Sequence, residues 1–286
     1  MTESTFFHPG EVHVGQDLGG REVTVAAADV ARYQAGIGGA HARGHEAPAL
    51  LYHSEVYRDL SWYLPNIIGN LHARQEWAVF HPMQVGDVVR SHSTVVERYR
   101  KRDRDYVVNE VLFTTTDGRW LQRSRTHQSF LADQPAAEMV VDKSREKRGD
   151  RRFELPGGDG EDVAPMVRTI THAMCEAFSG PSKNYHTDRE MAVALGFPDI
   201  VVQGMMSVCF VAEVMAGRFG AGWHHGGTLD VRLVNVVWPN DVVTARGKVR
   251  GVVREGERRR ALVDVWCAKA DGTVTVIGTA SALDLA

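Results

Sequence analysis

Hydrophobic and polar positions alternate in two long stretches of the chain, and the two stretches share one pattern. Residues 86–120 read GDVVRSHSTVVERYRKRDRDYVVNEVLFTTTDGRW, and residues 240–274 read NDVVTARGKVRGVVREGERRRALVDVWCAKADGTV. The two align without a gap at an offset of 154 residues, position 86 matching position 240. Each contains β-branched runs, a charged hairpin tip and an Asp-Gly turn, which predicts three antiparallel strands. The chain is therefore predicted to contain a duplicated unit.

The segments that precede these strands also align, at an offset near 145, and they predict helices. VTVAAADVARYQAGIGGAH lies over ITHAMCEAFSGPSKNYH, which places His41 opposite His186. Each half then reads strand, short helix, polar loop, long helix and antiparallel strands. A long helix inside a curled sheet buries the apolar surfaces of both. We therefore predict an α+β fold of two curled antiparallel sheets, each wrapped around a long central helix.

The duplication sets the domain boundaries. We assign residues 1–132 to the first unit and residues 164–286 to the second. The intervening residues 133–163 are rich in charge, glycine and proline and show no sustained hydrophobic period, so they are predicted to be a linker.

Composition and charge narrow the classes of partner. The 286 residues carry a formal charge of −3, which gives no field that would attract nucleic acid or an anionic membrane. Cys175, Cys209 and Cys267 lie in apolar patterns without CxxC spacing, so they are expected to be buried thiols. The first residues lack the features of a secretory signal, and we expect a cytoplasmic protein without a membrane partner.

One segment of the second half has no counterpart in the first. After His186 the chain reads TDREMAVALGF, in which Thr187 or Asp188 can cap a short helix and Gly196 can end it. This short helix is predicted to lie over the loop histidine as a lid or a pocket wall.

The long helix of the second half is predicted to begin at Gln203-Gly204, followed by Met205. The first N–H groups of a helix have no intrahelical acceptor, and a glycine lets a ligand approach them closely. Such N–H groups can bind a thioester carbonyl while a nearby histidine, His186, removes a proton as a base. In a purely structural alternative, Gly204 permits close packing and His186 caps the helix.

These residues together resemble the MaoC-like, or R-specific, enoyl-CoA hydratases and dehydratases in their double hot-dog form. The resemblance implies a site in the second half for an acyl thioester of coenzyme A or acyl carrier protein, with the acyl chain held by the first half. It implies an Asp and a His that handle one water, and a glycine N–H that polarises the thioester. His186 and Gly204 occupy matching positions. The resemblance implies no cofactor and allows a homodimer of double hot-dog chains.

The loop departs from the family pattern Gly-Asp-x-Asn-Pro-x-His, because this chain reads GPSKNYH. Gly180 fits, but Pro181 stands at the position of the acid and Lys183 at that of the amide. Three explanations stay open. Asp188 supplies the carboxylate; a group of the first half does so, the candidates being His45, Glu46, His53 and Glu55; or the reaction needs one proton-transfer group alone.

The third explanation favours isomerisation, elimination or intramolecular conjugate addition, in which no free water is added. His186 would be the base, Gly204 N–H would stabilise the enolate, and Asn184 or Ser182 would orient the substrate.

Two other functions compete with this interpretation. The chain is a non-catalytic acyl-binding or subunit-stabilising protein, or it is a hot-dog thioesterase. A thioesterase needs a carboxylate on the long helix near its start, and Glu213 lies about two to three turns beyond Gly204. No metal site is predicted, because the adjacent histidines of Trp223–Gly227 lack a third ligand.

Overall fold

The computed structural model describes residues 12–39, 45–58, 71–102, 104–131, 151–157 and 159–285. Within these ranges the strands are β1 (Asp17–Thr24), β2 (Leu71–Val79), β3 (Val88–Lys101), β4 (Arg104–Thr115), β5 (Trp120–Leu131), β6 (Glu161–Thr169), β7 (Thr228–Leu233), β8 (Val242–Glu255), β9 (Arg258–Lys269) and β10 (Val274–Leu283). The helices are α1 (Ala27–Ile37), α2 (Glu55–Arg58), α3 (His172–Ser179), α4 (Arg189–Ala194), α5 (Gly204–Phe219) and α6 (Ala221–His224).

The strands form one antiparallel sheet in the order β1-β3-β4-β5-β2-β7-β10-β9-β8-β6. Its first five strands come from the first half of the chain and its last five from the second. The halves join where β2 pairs with β7, for example at Trp77 opposite Leu229. The two predicted sheets are thus joined edge to edge into one continuous sheet.

Strand register confirms the internal repeat. In the first half Val95 lies opposite Asn109, and in the second half Val249 lies opposite Val263. All four positions obey the offset of 154 residues read from the sequence. The duplicated sequence pattern therefore corresponds to two structurally equivalent sets of strands.

Helix α5 is the central helix of the second half. Nearly all of its side chains are buried, as expected for a helix that is apolar on every side. Gln203 is its N-cap and Gly220 its C-cap. In the first half, α2 begins the segment predicted to be the matching long helix; residues 59–70 of that segment, and His41, lie outside the described residues. None of the described helices has the length and hydropathy needed to cross a membrane.

The halves also pack through α1 and α3. A side chain at Gly36 would lie 2.9 Å from the Cβ of Phe178, so glycine permits this close approach. The ring of His53 stacks on Phe178 with 3.9 Å between centroids, and Arg168 Nε donates to the Ile37 carbonyl at 3.1 Å. The glycine-rich stretch Gly36–Gly39 is therefore part of the packing between the halves.

Two smaller expectations concern the linker and the cysteines. Strand β6 begins at Glu161, before the predicted end of the linker, and Val163 is already buried. Residues 132–150, which include most of the predicted linker, lie outside the described ranges. All three cysteines are buried and free, as expected.

Candidate active site

The loop after α3 is organised by the side chain of Asn184. Its amide Nδ2 donates to the carbonyls of Ser179 at 2.9 Å and Ser182 at 3.0 Å, and its Oδ1 accepts from the backbone N–H of His186 at 2.8 Å. The sequence led us to expect Asn184 to orient the substrate. That role needs correction, because both ends of its amide are occupied by backbone groups, so Asn184 positions His186.

His186 projects from this loop against the segment that leads into α5. Its Nδ1 lies 2.6 Å from the carbonyl oxygen of Val201, and Val201 N–H donates back to the Tyr185 carbonyl at 3.2 Å. A carbonyl oxygen can only accept a hydrogen bond, so Nδ1 carries the proton. In the neutral ring Nε2 then has the free electron pair, which is the tautomer a general base requires.

Burial lowers the pKa of His186 to about 4, and the hydrogen bond to the Val201 carbonyl opposes this shift only in part. Burial disfavours the charged imidazolium because its solvation is lost. The ring of Tyr185 covers one side of the imidazole, with 3.9 Å between ring centroids, and Tyr185 in turn stacks on Phe197. His186 is therefore neutral and able to accept a proton at pH 7.

This pKa predicts a flat pH profile between pH 5 and pH 8. A histidine with the ordinary pKa near 6.5 would lose basic function below that pH, whereas His186 stays unprotonated down to about pH 4. We expect kcat/KM for the reactive thioester to change less than about twofold over this range. An acid limb with an apparent pKa near 6.5 that disappears in His186→Ala would contradict the lowered pKa of His186, although not its role as the base.

Protein stability should depend on pH in the same range, with a fixed sign. Because the folded pKa of His186 lies below the unfolded value, the unfolded state binds more protons between about pH 4 and pH 6.5. The stability is therefore complete above about pH 6.5 and is lost as the pH falls. Burial lowers the pKa of His53 to about 3 and of His72 to about 4, so both add to this loss with the same sign.

The start of α5 carries backbone donors and lies three residues beyond Val201, whose carbonyl binds His186. Gln203 is the N-cap and makes no side-chain cap bond; its Oε1 accepts from Ser179 Oγ at 3.3 Å. The N–H groups of Gly204 and Met205 have no acceptor among the described residues, whereas Met206 N–H donates to the Gln203 carbonyl at 2.9 Å. Two adjacent N–H groups are therefore available to an oxygen atom.

Gly204 also serves packing, in agreement with the structural alternative. A Cβ at this position would overlap Cδ2 of Leu233, so the side chain of Leu233 fills the space above the glycine. The Met205 side chain is fully buried and can contribute only through its backbone. Packing and anion binding are thus compatible uses of the same glycine.

Asp188 is held away from proton transfer. Its carboxylate accepts from Met191 N–H at 3.0 Å as the N-cap of α4, and it pairs with Lys183 Nζ at 2.8 Å. The hydrogen bond from Lys183 is the main cause that lowers the pKa of this carboxyl, and the Met191 N–H lowers it further. The proposal that Asp188 replaces the missing acid is therefore corrected: this carboxylate caps the short lid helix.

The remaining loop and first-half candidates are dispersed. Pro181 and Ser182 are exposed, and Ser182 contributes its backbone carbonyl to the loop. His45 is exposed and Glu46 partly buried. The buried Glu55 is bound by Arg21, Arg58 and Ser91, a task within the first half.

His53 is the first-half candidate that contacts the second half. It stacks on Phe178 near the end of α3, and its Nδ1 has no hydrogen-bond partner within the described part of the chain. In those same ranges, no three His, Cys, Asp or Glu side chains cluster as metal ligands would.

A positioning role and a substrate-binding role for Asn184 predict different results for Asn184→Ala. Because it holds the loop through three hydrogen bonds, its loss should lower the free energy of unfolding by about 1–3 kcal/mol. It should also reduce kcat, since His186 is no longer fixed. Urea unfolding and steady-state kinetics check this, with Ser182→Ala as the control for unfolding, since Ser182 holds the loop through its backbone carbonyl. A raised KM with unchanged stability would instead indicate a substrate contact.

The second half of the chain is similar to a known protein family. Residues 160–266 match the family described as MaoC like domain. No curated protein shows detectable sequence similarity to the chain.

Solved structures share the fold over nearly the whole chain. A MaoC-like dehydratase from Phytophthora capsici superposes with a TM-score of 0.72 at 15% identity, covering 96% of this chain and 97% of that one. A conserved hypothetical protein from Mycobacterium tuberculosis with a double hot-dog fold gives 0.65 at 11%, covering 98% of each. The peroxisomal multifunctional enzyme type 2 from Drosophila melanogaster gives 0.65 at 16%, covering 93% of this chain and 48% of that one. The predicted double hot-dog fold is confirmed.

Proposed function

Residues 160–266 form a MaoC-like domain within a double hot-dog chain, and from this premise we propose that the protein is an enzyme that acts on an acyl thioester of coenzyme A or acyl carrier protein. The acyl group is α,β-unsaturated or carries a β-hydroxyl. His186 is the base that moves a proton at Cα, and the N–H groups of Gly204 and Met205 bind the thioester oxygen.

One observation carries this proposal most directly. The 2.6 Å hydrogen bond between His186 Nδ1 and the Val201 carbonyl fixes the ring beside the segment that leads into α5 and leaves Nε2 as the basic atom. The hydrogen bond ties the loop that carries His186 to Val201, three residues before the first residue of α5, and this supports a site shared by the base and the helix start.

The proton transfer follows from these two groups. The Cα–H bond breaks, its proton passes to Nε2 of His186, and its electron pair moves into the thioester carbonyl to give an enolate. The N–H groups at the start of α5 stabilise the oxygen of that enolate, where negative charge develops. Collapse of the enolate then expels a β-hydroxyl, which takes the proton from His186 and leaves as water, or it returns the proton to Cγ and moves the double bond. In intramolecular conjugate addition His186 instead takes the proton of the nucleophile as that atom bonds to Cβ, and then delivers a proton to Cα.

The loop residues favour reactions without an external water. Adding water to a double bond needs one group to take the water proton and another to deliver a proton to carbon. Pro181 has no ionisable group, and Asp188 is bound by Lys183 and by the cap of α4. This supports isomerisation, elimination or intramolecular conjugate addition rather than rapid hydration.

The alternatives receive less support from the structure. A thioesterase would need a carboxylate close to the start of α5, but Glu213 is buried and accepts a hydrogen bond from Tyr33 of the first half at 3.1 Å. A non-catalytic acyl-binding or subunit-stabilising protein would use His186 only to bind the Val201 carbonyl, and in that case His186→Ala would leave acyl binding intact.

Two thioesters test the proposal. We expect purified protein to convert 3-butenoyl-CoA, which can isomerise without water, and to hydrate crotonyl-CoA far more slowly than the roughly 1–10³ per second typical of enzymes. Rapid crotonyl-CoA hydration would overturn the restricted chemistry while keeping the thioester substrate. No reaction with either thioester, or with the corresponding acyl carrier protein forms, would overturn the enzymatic proposal.

A further inference from the structure

The concave faces of the two half-sheets differ in polarity at equivalent positions. The six first-half positions that differ are Ser91, Ser93, Asn109, Gln122, Ser124 and Thr126. At the offset of 154 residues the second half has Ala245, Gly247, Val263, Val276, Gly278 and Ala280. The pairing is the same in both, since Thr126 lies opposite Asn109 and Ala280 lies opposite Val263. At these six positions the first half is thus polar and the second half is apolar or glycine, although Val95, Val111 and Phe113 lie on the same face of the first half.

The polar face of the first half is nevertheless buried. All six of its side chains are at most 3% exposed. Buried hydroxyl and amide groups are unfavourable unless they form hydrogen bonds, and the second half shows that the fold itself does not require them. Any atom of this polar set that lacks a hydrogen-bond partner therefore needs an explanation.

Most of these groups bond to other residues of the first half, and Asn109 Nδ2, for example, donates to the Val56 carbonyl at 3.2 Å, but three buried atoms on this face have no such partner. Gln75 binds Ser124 and Thr126, and Trp77 Nε1 donates to Gln122. Ser93 Oγ, Asn109 Oδ1 and His72 Nε2 have no hydrogen-bond partner within the described part of the chain. We call these three atoms, on β3, β4 and β2, the polar cluster.

The three atoms lie on the same face of the sheet. Asn109 is opposite Val95, which is two residues from Ser93, so the side chains of Ser93 and Asn109 are diagonal neighbours. His72 is opposite Gln128, which shares its face of β5 with Thr126.

The chemistry of the polar cluster fits neutral oxygen groups. Tyr57 O–H lies 2.6 Å from Nδ1 of His72, and burial keeps His72 neutral by lowering its pKa to about 4. A neutral ring that accepts the phenol proton at Nδ1 carries its own proton at Nε2, which is then a donor. Asn109 Oδ1 is an acceptor and the Ser93 hydroxyl can be either. The buried Glu55 carboxylate, bound to Ser91 on the same face, disfavours an anion here.

Aromatic residues connect the polar cluster with His186. Tyr57 packs against the main core together with Tyr185 and Phe197 of the second half. Burial raises the pKa of Tyr57 well above its usual value, and the nearby Tyr185 phenol adds to this effect. Tyr185 in turn contacts the ring of His186. Tyr57, which binds His72, and Tyr185, which contacts His186, therefore pack against the same core.

We infer that the polar cluster binds hydroxyl or ketone groups in the distal part of the acyl chain, so that the substrate is an oxygenated acyl thioester rather than a simple alkyl one. This inference rests on the proposed function, because it assumes that the thioester end lies at His186. Each oxygen group on the chain would supply the hydrogen bonds that the unpartnered atoms lack.

Calorimetric titration with unreactive thioesters tests this specificity. The probes are decanoyl-CoA and its 5-, 7- and 9-hydroxy derivatives, which differ only in the position of one hydroxyl. We expect at least one hydroxylated probe to bind about 5- to 150-fold more tightly than decanoyl-CoA, the range given by one buried hydrogen bond.

Two variants remove polar groups from the concave face of the first half, where the second half has none at the equivalent positions. Asn109→Val introduces the residue found at the equivalent position, and Ser93→Ala removes one hydroxyl with little change in volume. Each should reduce the preference for the hydroxylated probe, whereas Thr94→Val should not, because Thr94 points to the opposite face of β3. Thermal unfolding of each variant verifies the fold, and Ser93→Ala remains informative if Asn109→Val does not fold.

The inference is overturned if no hydroxylated probe binds more tightly than decanoyl-CoA, or if the preference survives in both folded variants. The titration measures binding without turnover, so its result can contradict the specificity inference without contradicting the proposed enzymatic function. A protein that prefers hydroxylated chains but never reacts with a thioester would contradict the proposed function alone. Turnover with a preference for alkyl chains would contradict this inference alone.

Discussion

Replacing His186 by alanine is expected to lower kcat/KM for the reactive acyl thioester by about 10²- to 10⁴-fold, the contribution typical of a general base. The imidazole is neutral, its Nδ1 proton is held by the Val201 carbonyl, and Nε2 is the basic atom. Alanine removes the proton acceptor and leaves the start of α5 unchanged. The loss should therefore fall mainly on kcat.

The fold should survive this substitution, which makes the result interpretable. Only one hydrogen bond from the ring to Val201 is lost, worth about 0.5–1.5 kcal/mol. His225→Ala is the matched control, because His225 is an exposed histidine of the same half. A folded His186→Ala protein with at least roughly a third of the parent kcat would refute the base assignment.

Removing the N–H of Gly204 is expected to lower kcat by about 10²- to 10³-fold, as does loss of one oxyanion donor in other enzymes. Gly204→Pro removes this donor at the first helical position, where proline is well accommodated. The preceding Gln203 has φ −61° and ψ 124°, the extended conformation that a following proline favours. The backbone can therefore accept this substitution.

The side chain of Leu233 must be shortened in this experiment, so that a steric clash at position 204 does not contribute to the change in kcat. Because a Cβ at position 204 would overlap Leu233 Cδ2, both test and control use the Leu233→Ala background. In that background Gly204→Ala keeps the N–H and Gly204→Pro lacks it. We expect a large difference in kcat between these two proteins and similar melting temperatures. Equal kcat values would show that the Gly204 N–H does not stabilise the transition state.

Much of the architecture could be predicted because the sequence contains an internal repeat, and both copies predict the same strands. The gap-free alignment of residues 86–120 with 240–274 predicted two equivalent sets of three strands, and the structure gives aligned positions the same register. A one-residue slip would exchange buried and exposed faces. The joining of both half-sheets through β2 and β7 was not predicted. That pairing links strands far apart in sequence and leaves no local pattern.

In the candidate site, the residues whose role depends on local sequence were the predictable ones. A histidine in a polar loop and a glycine at a helix start could be recognised from their neighbours. The Val201 carbonyl could not, because every residue has such a group and only the tertiary fold brings it to His186. Asn184 was noticed but given the wrong partner, since the loop turns its amide back onto the backbone.

The polar concave face was visible in the aligned repeats but could not be interpreted from them. Ser91, Ser93 and Asn109 stand opposite Ala245, Gly247 and Val263 in the alignment. Without the structure, serine and asparagine in a strand indicate the solvent side as readily as the buried one. Ser93 and Asn109 are only 1% exposed, which shows that these polar side chains lie on the buried side of the sheet.

Hydrogen exchange at Cα tests the central claim most directly, because each of the proposed reactions breaks or forms a Cα–H bond. The protein would be incubated in D₂O with 3-hydroxydecanoyl-CoA and 3-butenoyl-CoA, and deuterium at Cα would be measured by mass spectrometry. We predict His186-dependent incorporation into at least one of these thioesters, with loss of the signal in His186→Ala. Folded wild-type protein that incorporates no deuterium into either thioester would contradict the assignment of His186 as the base of an acyl-thioester enzyme.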